Sequence, residues 1–150
     1  MPSFRLMTRI QNNANSFLKG AHPGYQQWAG QATNTCYNLT GAGAGPGRSQ
    51  GDLIRDAAFA YLLTGTTSYR DAARTELLAQ AAVAGTNFSN TSRWCTNAPD
   101  DTDNAFTVAN WLTRLLFAYD YIRSSLSGAD QAILDTWFLN AGNYWQIIID

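Results

Sequence analysis

The amino-acid sequence spells one helical hairpin twice. In Asp52–Leu63 the apolar residues fall on two adjacent helical stripes, Leu53, Ala57 and Tyr61 beside Ile54, Ala58 and Leu62. An apolar face that wide predicts a mostly buried helix. Thr64-Gly65 ends it, since glycine enters the left-handed conformation beyond a helix without a Cβ clash. Ser68 with Asp71 three residues later has the pattern of a capping box, opening a helix through Ala72, Ala73, Leu77, Leu78 and Ala81 to Gly85. The order then returns. Asp103 is placed to cap a helix carrying Phe106, Ala109, Leu112, Leu116 and Tyr119. Ser127 with Asp130 repeats the box, and Ile133, Leu134, Trp137, Phe138 and Ala141 lead on to Trp145. Phe59-Ala60-Tyr61 aligns with Phe117-Ala118-Tyr119, and the two boxes align likewise, an offset of 58–59 residues. Residues 3–18 and 23–33 make a third, weaker pair, broken by Gly20, Pro23 and Gly24. The expected fold is all-α, stacked antiparallel helical hairpins in one domain spanning residues 1–150.

The connections alternate in length. Within hairpins they are short, at Thr64–Thr67, Arg123–Leu126 and Lys19–Pro23, and between hairpins long, at Thr33–Gly51 and Thr86–Thr102. Antiparallel stacking sends all the long connections to one end. Long loops in a compact domain are uncommon unless they carry function or are disordered, so function is expected at that elaborated end. Cys36 and Cys95 fall one in each long connection; a disulfide between them and two unrelated buried thiols are both open.

Composition removes several classes. Ten Lys+Arg against eleven Asp+Glu give a net charge of −1, and only 14% of the residues are charged. That argues against an electrostatic nucleic-acid binder or a polybasic membrane-surface protein. No apolar run approaches the roughly 20 residues of a membrane span. Met1–Gly20 has Arg5, Arg9 and a polar middle where a signal peptide carries its apolar stretch. The protein is expected to be cytosolic as made, released with a virus particle, or written here without its leader. The Asn-, Thr- and Ser-rich composition with a single Lys leans toward an extracellular, periplasmic or virion-associated setting. The sequons at Asn38, Asn87 and Asn90 are about what chance supplies in so Asn-rich a chain.

A family resemblance rests on two stretches. Ala57-Ala58-Phe59-Ala60-Tyr61-Leu62-Leu63-Thr64-Gly65, followed by Thr67-Ser68-Tyr69-Arg70-Asp71-Ala72-Ala73-Arg74, resembles a hairpin of (α/α)-toroid polysaccharide-active enzymes. Leu115-Leu116-Phe117-Ala118-Tyr119-Asp120-Tyr121-Ile122-Arg123 resembles a helix end of the alginate-lyase and heparinase II/III-like toroids. The likeness covers about residues 51–145. It implies hairpins curving into an incomplete ring around a sugar groove, and β-elimination of a uronic-acid-containing polysaccharide. In that reaction a neutralised carboxylate acidifies the C5 proton, a base takes it, and an acid protonates the leaving oxygen. No Asn-His pair and no Arg-to-Tyr motif matches the family's catalytic stretch, so no catalytic residue is carried over. Three hairpins are about half a toroid, and the chain is expected to be the N-terminal half of a larger one. The alternative is a non-catalytic glycan-binding or virion-assembly module on the same fold. Neither reading calls for a cofactor or metal.

The candidate contact residues are polar or aromatic groups at the elaborated end. Arg93, Trp94 and Asn97 in the second long connection combine a ring face for sugar stacking with donors for carboxylate and hydroxyl groups; the alternative is a Trp that folds back onto the core. Trp111 and Arg114 lie three apart on one helix and would face the groove if that helix lines it, although a Trp at this spacing also suits a core. Arg48 and Gln50 stand at the base of the glycine-rich connection Gly41–Gly47. Ala42–Ser49 also fits a degenerate phosphate loop, but Pro46 removes a backbone donor and no strand precedes it. His22, the sole histidine, sits in a turn without a carboxylate near it in sequence. The expected partner is an anionic polysaccharide, with no nucleic acid and no membrane. Asn143–Ile149 is apolar where an end unit is normally polar, so a further piece of chain or self-association is expected there.

Overall fold

The computed structural model describes residues 2–18, 50–82 and 101–149. Among them five α-helices run in order: α1 (Pro2–Leu18), α2 (Gln50–Thr64), α3 (Thr67–Ala81), α4 (Asp101–Ile122) and α5 (Gly128–Ile149). No strand occurs among the described residues, so the all-α expectation holds for them.

The α2–α3 turn is the tighter of the two hairpin turns. Gly65 has φ +69°, and its N–H donates to the Tyr61 carbonyl at 2.7 Å, closing α2 as the sequence predicts. The Thr64 hydroxyl donates to the Ala60 carbonyl at 2.7 Å and accepts the Thr66 N–H at 3.2 Å. These contacts leave two residues between the helices, and α3 starts at Thr67 with no side-chain cap from Thr66. The expected Ser68/Asp71 box therefore does not form. The short turn draws Ser68 into the helix, and Asp71 pairs with Arg70 instead.

The second turn is longer and carries the box that was expected. A 3-10 turn at Arg123–Ser125 leads to buried Leu126, and Ser127 accepts the Asp130 N–H at 3.1 Å while its hydroxyl donates to the Asp130 carboxylate at 2.7 Å. Gln131 Nε2 donates to the Arg123 and Leu126 carbonyls, both at 3.1 Å, tying the turn down. α4 begins two residues before the expected cap, so Asp103 lies in its first turn.

Two layers result. α2 makes its most extensive contact with α4, then with α3 and α1; α3 touches α5, α4 and α1 as well. Register shows how the hairpins stack. Asp52 meets Arg114 and Phe59 meets Tyr121, each pair 62 residues apart, so α2 and α4 run parallel. Arg74 meets Asp130 and Ala81 shares a groove with Thr136 and Asn140, so α3 and α5 run parallel too. The starts of α2 and α4 and the end of α3 therefore lie at one end of the stack, and both hairpin turns at the other.

Leu53, Ile54, Leu77, Trp111, Leu115, Ile122, Leu134 and Trp137 are its largest fully buried side chains. Ala57, Ala58 and Ala118 let α2 and α4 approach closely. Gly51 marks a tight point: a Cβ there would stand 3.0 Å from Arg114 Cβ and 3.2 Å from the Trp111 carbonyl. Ile10 and Ala14 pack α1 against Ala60 and Tyr69, whose hydroxyl donates to Asn15 Oδ1. Three residues expected on apolar faces, Leu62, Leu116 and Ile133, are exposed instead.

Candidate functional site

The end of the stack at which α2 and α4 start holds an ion cluster. Asp52, in the first turn of α2 where the helix dipole favours a carboxylate, is only 8% exposed. Its Oδ1 accepts from Arg114 Nε on α4 at 2.6 Å and lies 3.1 Å from an Arg55 guanidinium nitrogen. Arg55 also donates to Asp56 at 2.9 Å. Two cations and two anions thus bridge α2 and α4, and their formal charges cancel. A charge-assisted bond this close, partly screened from water, holds the helices together more than it advertises for a ligand.

This geometry sorts the candidate residues. Arg114 sits at the expected end, engaged with Asp52. Gln50 opens α2 beside it in sequence. Trp111 is a core residue: it is 1% exposed and meets Trp137 edge to face at 6.0 Å. Three residues along a helix turn the chain about 60° short of a full circle, which puts Arg114 at the edge of the interface and Trp111 inside it. Trp111 therefore has no face to offer a sugar in this arrangement. Arg48, Arg93, Trp94, Asn97, His22, Cys36 and Cys95 lie outside the described residues.

A second polar group closes the turn end. The Tyr119 hydroxyl donates to Asp135 at 2.6 Å and accepts from Arg123 Nε at 3.1 Å, while Arg123 also reaches Asp135 at 2.9 Å. Arg123 and then Tyr119 hold the Asp135 carboxyl below the usual carboxylate range. Burial, foremost, raises the Tyr119 hydroxyl. Nearby, Arg74 binds Asp130 through two bonds of 2.9 Å, which with Ser127 depress the Asp130 pKa.

Two features escaped the sequence. Glu76 on α3 is a carboxyl whose burial lifts its pKa from 4.5 to about 7. One turn later, Gln80 is 0% exposed and neither amide atom finds a hydrogen-bond partner among the described residues. The other is a row of rings joining α2 and α4, in which half-buried Phe59 meets half-buried Tyr121 at 5.2 Å and Tyr121 meets exposed Phe117 at 6.3 Å between centroids. A groove of about 400 Å³ between α3 and α5, lined by Ala81, Ala132, Ile133, Thr136, Trp137 and Asn140, is mostly apolar. Among the described residues no group of three His, Cys, Asp or Glu could hold a metal ion, and no helix is long and apolar enough to cross a membrane. No protein-family model, curated protein or solved structure matches the chain.

Proposed function

We propose that this chain is a run of stacked hairpins from an (α/α)-toroid protein related to the polysaccharide lyases, forming one wall of a groove for an anionic glycan. The observation that carries the reading is the parallel register of α2 with α4 and of α3 with α5. That is the arrangement of successive units in a curved two-layer stack, and it sends both long connections to the start of an inner helix. Arg114 and Gln50 stand at that end, and Arg48, Arg93, Trp94 and Asn97 are proposed to join them as contacts to sugar hydroxyls and carboxylates. In a β-elimination the groove wall contributes positioning of the uronate ring, which is binding energy directed at orientation. No described residue is assigned a part in proton transfer.

The second reading, a glycan-binding or assembly module without catalysis, is favoured by one observation. Arg55, Arg74, Arg114 and Arg123 are all engaged by carboxylates that knit the helices together. A single experiment separates the readings. The protein, isolated at its full length from its source, is titrated with an oligogalacturonate while the ultraviolet absorbance of unsaturated ends is followed. Retention of the oligomer with growing absorbance supports the lyase; retention with flat absorbance supports the module. No retention of any uronate oligomer overturns the lyase and the glycan-binding module and leaves assembly alone.

A further inference from the structure

We infer that the exposed strip of α4 around Leu116 and Phe117 seats a further helix, parallel to α4 and belonging to a hairpin that follows α5 in the same protein. The inference deepens the stacked-hairpin part of the proposed function, on which it rests, and does not depend on the glycan part.

The internal repeat supplies the template. Phe59-Ala60-Tyr61 and Phe117-Ala118-Tyr119 set α2 and α4 in correspondence at an offset of 58 residues. At the positions that each helix turns inward the two agree: Ala57 and Leu115, and Ala60 and Ala118, are all 0% exposed. They part along one strip. Ala58 is 0% exposed, whereas its counterpart Leu116 is 50% exposed; Phe59 is half-buried, whereas its counterpart Phe117 is 49% exposed. On α2 this strip is the side on which α4 lies. Phe59 meets Tyr121 there at 5.2 Å between centroids, and Gly51, two turns before Ala58 on the same side, backs onto Arg114 and Trp111. On α4 the same strip, completed by Thr113 and Asp120, is exposed throughout. What α2 has on that side, and α4 lacks among the described residues, is a neighbouring helix.

The path of the chain selects the occupant. A hairpin repeat buries its open face by stacking on the next unit, and successive units stack in one register. α3 returns antiparallel to α2 and ends where α4 starts; α5 returns antiparallel to α4 and ends at that same end of the stack. A hairpin joined to α5 by a connection like the one between α3 and α4 therefore starts level with α2 and α4 and runs parallel to α4. The strip asks of its first helix what α4 gives α2: an apolar surface over Leu116, and a ring against Phe117 as Tyr121 stands against Phe59. A second copy has no free α2 to offer, because α1, α3 and α4 already surround that helix.

The experiment times maleimide alkylation of an introduced thiol in the protein at its full length from its source and in the chain of residues 1–150. Both carry Cys36→Ser and Cys95→Ser, with either Leu116→Cys on the strip or Leu62→Cys, a position 54% exposed on α2, as reference. Helix content is checked by circular dichroism, and Phe117→Cys replaces Leu116→Cys if that variant loses helix. In the chain of residues 1–150 the two thiols should react at similar rates. In the full-length protein the Leu116→Cys thiol should react about 100-fold more slowly than the Leu62→Cys thiol, at every protein concentration. Similar rates at the two positions in the full-length protein overturn the inference. Protection that fades on dilution assigns the strip to a second copy and overturns the following hairpin. Neither result bears on oligouronate retention, so the glycan reading stands or falls separately.

Discussion

Glu76 is the residue whose chemistry is most out of step with its surroundings. Its carboxyl is raised by burial from 4.5 to about 7, so the folded chain holds a proton that the unfolded chain has released. Stability from this source is intact below pH 4.5, falls as the pH rises toward 7, and is flat beyond it. The full penalty is about 3 kcal/mol. Urea unfolding of Glu76→Gln should therefore show a gain over wild type at about pH 8 that vanishes at about pH 4; parallel stability curves would sink the assignment. Trp111 poses the opposite case, an aromatic residue whose whole value is packing. Trp111→Ala should cost about 3–5 kcal/mol. On the proposed glycan reading, oligouronate affinity in the folded fraction should not change, and a selective loss of affinity at full stability would make Trp111 a ligand contact.

Among the elements, α2 and α4 are set by one close approach and α3 and α5 by one ion pair. At Gly51 an added Cβ meets the Arg114 side chain and the Trp111 carbonyl, and backbone cannot yield as a side-chain tip can. Gly51→Ala should destabilise by about 1–3 kcal/mol in thermal or urea unfolding, and an unchanged midpoint would mean that the helices separate freely there. For the second pair, Arg74 and Ser127 hold the Asp130 carboxyl low, so its contribution is present above the ordinary Asp range and is lost as pH falls. Replacing Arg74 by Met should flatten the acid limb of the stability profile; an acid limb unchanged from wild type refutes that role. How far such elements can be read from sequence depends on the reach of the signal. Gly65 and the Ser127/Asp130 box act over three or four residues, and both stand where the pattern put them. Ser68 failed because a threonine hydroxyl network had already closed the turn. Asp52 and Arg114 are 62 residues apart, and periodicity assigns each a face without naming what it meets. A charge at a helix–helix seam and a charge in a binding site look alike in one dimension, so Arg114 was legible as important and its partner was not.

For the whole molecule, the order of layers predicts the order of stability. α2 is flanked by α1, α3 and α4, whereas α5 has neighbours chiefly on one side. Amide hydrogen exchange should be slowest along α2 and faster along the second half of α5; a uniform rate across all five helices would show that the stack opens only as a unit. The same register carries a consequence for inheritance. Because α2 and α4 start, and α3 ends, at one end of the stack, a segment about one hairpin long enters and leaves the body side by side. Genetic gain or loss of such a segment leaves the flanking ends already within reach of each other. A lineage built on this plan can lengthen or shorten its stack by whole hairpins without redesigning the units that remain.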